Sequence, residues 1–421
     1  MPGITYEEFI DLEYDPVPSD LICEFSLVPA SDMSLEEAAS RVASESSNGT
    51  WAELQVEGSI TDLSATAYDI SEGAGESAAT AMVAYPDELF EDRNMPQVLS
   101  CIAGNILGMK AVEAIRLEDC DWPEPLTTSF PGPQFGTDVR TEIFDAPDRP
   151  ITATVPKPKV GLTTEQHVQV AEDAYYGGID LLKDDENLTD QSFNPFSNRL
   201  TQSLNVRDMA EEATGEKKSY LVNVTADLPR MLDRVDEAAV QGCEYVMVDV
   251  VTCGWSAVQA VRERCAQHGL AIHAHRAMHA AFDRVPTHGV SMRVIAQVAR
   301  LCGVDHIHTG TADLGKLANE DTVGINEWLY SDLYGLNDVL PMASGGLHPG
   351  LIPELVDRCG INIGIQAGGG IHGHPDGTRD GAKALRQAVD ATVAGEDLEA
   401  YAEAHSELAT ALEKWGTETP R

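Results

Sequence analysis

The run Lys183-Asp184-Asp185-Glu186-Asn187 is the most informative stretch of the chain. Asp185 and Glu186 offer hard carboxylate oxygens, which suit Mg²⁺ and its octahedral shell with positions kept for water and substrate. Lys183 is at odds with them, because an ammonium cannot ligate a metal. Either it is an ion-pair partner of the acids, or its neutral amine reacts with CO₂ to give a carbamate, an anionic oxygen ligand. Spacing does not choose between the two, and on the residues alone the ion pair is the preferred reading.

Other reactive groups recur at regular distances along the chain. His275 is a candidate general base, and Lys157 in Lys157-Pro158-Lys159 can pass a proton if neighbouring cations depress its pKa. Arg276 and His308 suggest one anion site. Gly345-Gly346 and Gly368-Gly369-Gly370 suggest another, in which backbone N–H groups hold a phosphate; simple turn chemistry is the rival reading for the first pair. Two anion sites across one mouth imply a small sugar with a phosphate at each end.

These groups need a scaffold that gathers them. Short β-branched or apolar runs fall at 151–155, 178–183, 220–225, 245–250, 270–275, 304–308, 339–344 and 362–366. Helical periodicity fills the spaces between them, as in 164–176, 231–241, 255–268 and 292–301. Eight strands alternating with helices predict a TIM (β/α)₈ barrel in an α/β fold. An open doubly wound sheet would use fewer strands and a Gly-rich dinucleotide turn, and no G-x-G-x-x-G follows an early strand. Catalytic groups of such barrels sit at the C-terminal strand ends, where the residues named above fall, with Ser344 after strand seven and Gln366 closing strand eight.

Ahead of the barrel, runs at 21–28 and 78–85 predict strands, and 34–44 and 95–116 predict helices, the first capped by Ser34. That is a smaller α+β domain. A Pro- and Gly-rich stretch over 123–150 reads as a linker, and the division falls at residues 1–135 and 136–421.

Composition narrows the function. The 421 residues carry 69 Asp plus Glu against 28 Lys plus Arg, a net charge of -41. Such a surface repels nucleic acid and anionic membranes. Its acids are spread along the whole length and lysines number only nine, a pattern that fits adaptation to high salt. Eight cysteines form no C-x-x-C pair and no zinc spacing. Cys243 and Cys302 read as small core residues, and the expected location is a reducing cytoplasm. The first fifteen residues lack the apolar core of a signal peptide, and no segment is apolar enough to span a bilayer.

The stretch Gly178-Ile179-Asp180-Leu181-Leu182-Lys183-Asp184-Asp185-Glu186-Asn187 resembles the activation signature of the ribulose-1,5-bisphosphate carboxylase/oxygenase (RuBisCO) large subunit. Lys157-Pro158-Lys159, 273–279 (HAHRAMH), 306–310, Ser344-Gly345-Gly346 and Gly368-Gly369 resemble family motifs in the family's order, as do 45–51 (ESSNGTW) and Gly104-Asn105. The resemblance covers nearly the whole chain. It reverses the ion-pair preference for Lys183, implying a carbamate that holds Mg²⁺ with Asp185 and Glu186 and takes the C3 proton of ribulose 1,5-bisphosphate. CO₂ would thus be both activator and substrate, with O₂ as the competing gas.

The remaining roles are implied in the same way. Lys157 would protonate the C2 carbanion after C–C cleavage, with Lys159 in support, and His275 would assist at the C3 hydroxyl. Arg276 and His308 would hold one phosphate; Thr50, Trp51, Gly346, Gly368 and Gly369 the other, beside Gly345; Ser344 the sugar hydroxyls. Lys316 would stabilise the new carboxylate with Glu45 as partner, and Asn105 would contact substrate near the metal. The family sets Glu45, Thr50, Trp51 and Asn105 across a subunit boundary, so the resemblance implies a homodimer with shared sites, or a larger homo-oligomer. The segment from Gly310 to Lys316 is one residue longer between His308 and Lys316 than in plant forms, and Thr309 and Ala367 differ from the usual plant choices. These features resemble archaeal form III enzymes, which serve nucleotide-pentose salvage. The rivals are a RuBisCO-like enolase or isomerase, whose members usually lose loop or phosphate-site residues, and a non-catalytic sugar-phosphate sensor.

Overall fold

The computed structural model describes residues 9–49, 62–73, 78–315 and 320–419. It forms two compact units. The first draws on Met1–Pro131, Met278–Cys302 and Asp332–Leu336. Strands Leu21–Pro29 (β1), Thr66–Ser71 (β2), Ala79–Tyr85 (β3) and Val112–Asp121 (β4) lie antiparallel in the order β4-β1-β3-β2. In β1 Leu21, Cys23, Phe25 and Leu27 are fully buried while the residues between them are not, the period-two pattern of a half-buried strand. The expected Ser34 cap is present: helix Leu35–Glu45 begins with a capping box in which Glu37 reaches back to the Ser34 N–H.

One expected helix is corrected. Helical periodicity over 95–116 breaks after Met95–Ile102, where a Cβ on Gly104 would lie 2.0 Å from the Ser100 carbonyl oxygen. A 3₁₀ turn at Asn105–Gly108 follows, and then β4, ten residues long and paired with most of β1. Val112 and Ile115 favour the pleated surface, and the long pairing with β1 decides the contest. The expected linker likewise carries short helices at Glu124–Ser129 and Val139–Glu142.

The second unit is a closed barrel of eight parallel strands. These are Ile151–Thr154 (β5), Leu181–Lys183 (β6), Ser219–Asn223 (β7), Tyr245–Asp249 (β8), Ala271–His275 (β9), His306–Gly310 (β11), Leu340–Ser344 (β12) and Gly364–Gln366 (β13). The pair Gly289–Val290 (β10) is not among them; it lies parallel on β4 in the first unit. Every residue of β5 to β8 is buried, as expected of strands covered on both faces. Helices Thr164–Tyr176, Leu228–Val240, Trp255–His268 and, in the first unit, Met292–Cys302 fall where periodicity predicts them.

The barrel's interior tells which mouth is working. Val139, Phe144 and Ala146 pack on Ile151, Leu181, Tyr245, Ala271 and Leu340, the first residues of their strands, with Phe144 stacked on Tyr245. This plugs the N-terminal mouth and leaves polar groups to the C-terminal one. Below, Asp305 accepts from the backbone N–H of Phe135, Gly136 and Ile272 at 2.6, 3.1 and 2.8 Å, tying the plug to the strands. All eight cysteines are free thiols, and Cys243 and Cys302 are buried. Among the described residues no helix is long and apolar enough to cross a membrane.

Candidate active site

Lys183 ends β6 with its side chain fully buried. Its Nζ donates to the Asp184 carbonyl at 2.8 Å and lies 3.7 Å from Glu186 Oε2. Burial pulls its pKa below the ordinary lysine value, the nearby Lys157 adding to this, against the opposite pull of Glu186, Asp185 and Asp184. Lys157, after β5, reaches Asp185 Oδ2 at 3.2 Å. Burial opposes ionisation of Asp185, but Asn187, which donates to Oδ1 through both its backbone N–H and its amide, keeps the carboxyl below the usual range, helped by Lys157 and Lys183. Asn223 at the end of β7 anchors the turn by donating to the Leu188 and Glu186 carbonyls.

On the far side of Glu186, His275 closes β9. Its Nε2 lies 3.4 Å from Glu186 Oε2 and its Nδ1 lies 3.2 Å from Asp249 Oδ1. Register sets the latter pair side by side, since Asp249 and His275 are Cα partners across β8 and β9. Burial and Lys183 lower the His275 pKa, so the ring is a neutral base oriented by a carboxylate. One step further round, His273 Nε2 meets His308 Nε2 at 3.0 Å, and His308 Nδ1 meets Ser344 Oγ at 2.8 Å. Burial holds both histidines far below the ordinary value. Arg276 is paired in bidentate fashion with Glu320.

The glycines behave as backbone surfaces. Gly345 and Gly346 have φ of 119° and 94°, a region a side chain would strain. A Cβ on Gly368 would come 3.1 Å from Lys157 Cε, close enough to push that side chain aside slightly, while Gly369 opens onto free space. Gln366 is half-buried at the end of β13, and its Oε1 lacks a hydrogen-bond partner. Lys159 is exposed and shares a narrow cleft with Asp185. In the first unit Asn105 Nδ2 reaches Glu45 Oε1 at 3.4 Å, on a cleft also lined by Arg41 and Lys110. Thr50, Trp51 and Lys316 lie outside the described residues.

Beneath the Lys183 turn is a network the sequence reading missed. Buried Asp184 accepts from Arg199 Nε at 3.1 Å, Tyr220 Oη at 2.6 Å and the Asn223 N–H at 3.0 Å. His167 Nε2 stands 3.6 Å from the same carboxylate but makes no ion pair at neutral pH, because burial pushes its pKa down to about 4. Arg199 and Tyr220 are 15 and 36 residues from Asp184, and no local motif announces such partners. Asp249 and Glu320 were also unassigned, although a carboxylate closing strand four of a barrel is itself a usable signal.

The donor set fits a small divalent cation. Asp185 and Glu186 supply carboxylates at one strand end, and a buried amine beside them becomes a third anionic oxygen donor once it carries CO₂. Two family models match the chain: the ribulose bisphosphate carboxylase large chain N-terminal domain over residues 8–126 and the catalytic domain over 136–415. The chain belongs to the ribulose bisphosphate carboxylase large-chain family. Ribulose bisphosphate carboxylases of Pyrococcus furiosus and Archaeoglobus fulgidus are 48% and 43% identical to it, each over 99% of this chain and 99% and 98% of their own. Octameric RuBisCO of Pyrococcus horikoshii, solved with sulfate, superposes with a TM-score of 0.95 at 46% identity, covering 99% of this chain and 98% of that one. Dimeric RuBisCO of Hyperthermus butylicus gives 0.92 at 44%, over 98% and 99%. The barrel with its separate mixed-sheet unit is thus the RuBisCO fold, and the chain is an enzyme whose reaction is ribulose bisphosphate carboxylation.

Proposed function

We propose that the chain carboxylates ribulose 1,5-bisphosphate to two molecules of 3-phosphoglycerate, with Lys183 as a carbamate and Mg²⁺ held by that carbamate, Asp185 and Glu186. The observation that carries the reading is the wholly buried Lys183 amine 3.7 Å from the Glu186 carboxylate, with Asp185 on the same turn at the end of one barrel strand. Mg²⁺ would polarise the sugar's C2 carbonyl and C3 hydroxyl oxygens, making the C3 proton acidic.

The chain's own groups then account for the proton traffic. The Lys183 carbamate takes the C3 proton; His275, neutral and oriented by Asp249, takes the C3 hydroxyl proton during hydration; Lys157 returns a proton to C2 after C–C cleavage. Lys159 supports Lys157. Arg276 and His308 anchor one phosphate, and Gly345, Gly346, Gly368 and Gly369, with Thr50 and Trp51, the other. Ser344 and Gln366 face the sugar; Asn105 contacts it near the metal; Lys316, paired with Glu45, stabilises the new carboxylate. O₂ reacts at the same carbon as CO₂.

Glu45, Thr50, Trp51 and Asn105 come from a second copy of the chain, so the working unit is a homodimer or a larger assembly of dimers; the dimeric and octameric relatives support this. We assign the protein to the cytoplasm and to nucleotide-pentose salvage, the latter tested by deleting the gene and measuring growth on nucleosides. We keep the division at residues 1–135 and 136–421 as a proposal, beside compact units that part at Pro131 and Gly132 and count 278–302 and 332–336 with the first; limited proteolysis would test it. Incubation with Mg²⁺, labelled CO₂ and ribulose 1,5-bisphosphate tests the reaction itself. Labelled 3-phosphoglycerate is expected. Substrate isomerisation without label would point to an enolase, and tight binding without turnover to a sensor.

A further inference from the structure

Arg276 follows β9 directly, and its side chain is 5% exposed. Nη1 donates to Glu320 Oε1 at 2.9 Å and Nη2 to Oε2 at 2.7 Å, a fork-on-fork pair. The Glu320 side chain is 9% exposed, and its surroundings hold it in place. A Cβ on Gly310 would come 3.0 Å from Glu320 Oε2, so the carboxylate lies against bare backbone. The Glu320 carbonyl accepts from the Thr322 N–H at 2.7 Å. Thr322 Oγ1 in turn donates to the Thr309 carbonyl at 3.0 Å and accepts from the Ala312 N–H at 3.2 Å. Glu320 is thereby fastened to the stem beyond β11, the strand that carries His308.

We propose that Glu320 is a resident counter-anion for Arg276, a positioning residue whose carboxylate is displaced when a substrate phosphate binds. The proposal rests on the reading of Arg276 as a phosphate anchor. A carboxylate and a phosphate make the same demand on a guanidinium, two acceptor oxygens in the plane of the fork. In a nearly water-free pocket the two anions repel strongly, so they cannot both keep the fork. Without a ligand, a nearly buried guanidinium needs its charge met, and Glu320 supplies a carboxylate to its fork. The exchange sets a penalty on phosphate binding. Such a penalty has a use where two phosphate sites would otherwise hold monophosphate products too long.

Inorganic phosphate is the probe, titrated calorimetrically into the whole protein as wild type, Glu320→Gln, Glu320→Asp and Arg276→Lys, with steady-state kinetics on ribulose 1,5-bisphosphate alongside. Glu320→Gln is expected to bind phosphate about tenfold more tightly, because the competing charge is gone. Its KM should fall while kcat does not rise. Its melting temperature should drop without phosphate and recover at saturating phosphate by more than the wild type gains. Glu320→Asp, which keeps the charge, should retain the weaker wild-type phosphate affinity. A folded Glu320→Gln protein with unchanged or weaker phosphate affinity overturns the proposal. Unchanged affinity in Arg276→Lys would instead remove the anchor role on which it rests.

Discussion

An amine adds to CO₂ only in its neutral form, so a lysine that is to become a carbamate must shed its proton inside the folded protein. Burial of Lys183 does this work, since a charged ammonium gains nothing from water it cannot reach. The acids beside it resist, and the balance leaves the pKa lowered. Activation should therefore quicken as pH rises toward that lowered value. Lys183→Met keeps the size and burial but offers neither amine nor ligand. We expect its carboxylation rate to fall by about a thousandfold or more, with the circular-dichroism spectrum and melting temperature close to wild type. Turnover within tenfold of wild type would contradict the role. ¹³C NMR with labelled bicarbonate should show a carbamate resonance in the wild type that Lys183→Met lacks.

At the scale of elements, the barrel positions these groups because its strands are held at both ends. Asp305 takes three backbone N–H groups at the plugged mouth. Asp305→Ala leaves those donors buried and unpaired, which should cost about 2–4 kcal/mol in urea denaturation; a loss under about 0.5 kcal/mol would show that the plug is held by packing alone. The strands were legible because each is a short apolar run followed by reactive residues, and period and position carry that information locally. The placing of Lys183, Asp185, Glu186 and His275 at strand ends was legible for the same reason. What was not legible depends on distant neighbours: Arg199 and Tyr220 under Asp184, Glu320 on Arg276, and the switch from helix to strand at β4, which the pairing with β1 decides. A helical hydrophobic spacing over 95–116 was real but weaker than a ten-residue strand's pairing with β1.

At the scale of the molecule, buried histidines set a lower limit of pH. In the unfolded chain each takes a proton near pH 6.5. The folded protein withholds it until about 4 at His167 and His372 and about 3 at His306. Between those values the unfolded state binds more protons, so stability falls as pH drops from about 6.5 to about 4. The slope is about 1.4 kcal/mol per pH unit for each ring, and these groups add none below about 3. Urea midpoints across that range should show it, and a flat profile would mean the rings are protonated in the fold. Assembly offers a second test. Glu45→Gln and Lys183→Met are each expected to be inactive, but refolded together they should recover up to about a quarter of wild-type activity, because a mixed dimer holds one intact shared site. No recovery in demonstrably mixed dimers would place Glu45 and Lys183 of one chain in the same site.

The pairing of β10 with β4 also bears on synthesis. A nascent chain that has emerged through Asp121 can align β4, β1, β3 and β2, yet β4 keeps an open flank until Gly289 and Val290 arrive. Trp122 waits equally long for Gln297, and Arg116 for Asp283. For some 170 residues of translation the first unit therefore carries an uncovered backbone edge, and Arg116 has Glu118 but not yet Asp283, a state that invites chaperones or neighbouring chains. Residues 1–131 produced alone should stay in that state and precipitate, and adding the 278–302 segment through a flexible tether should restore solubility.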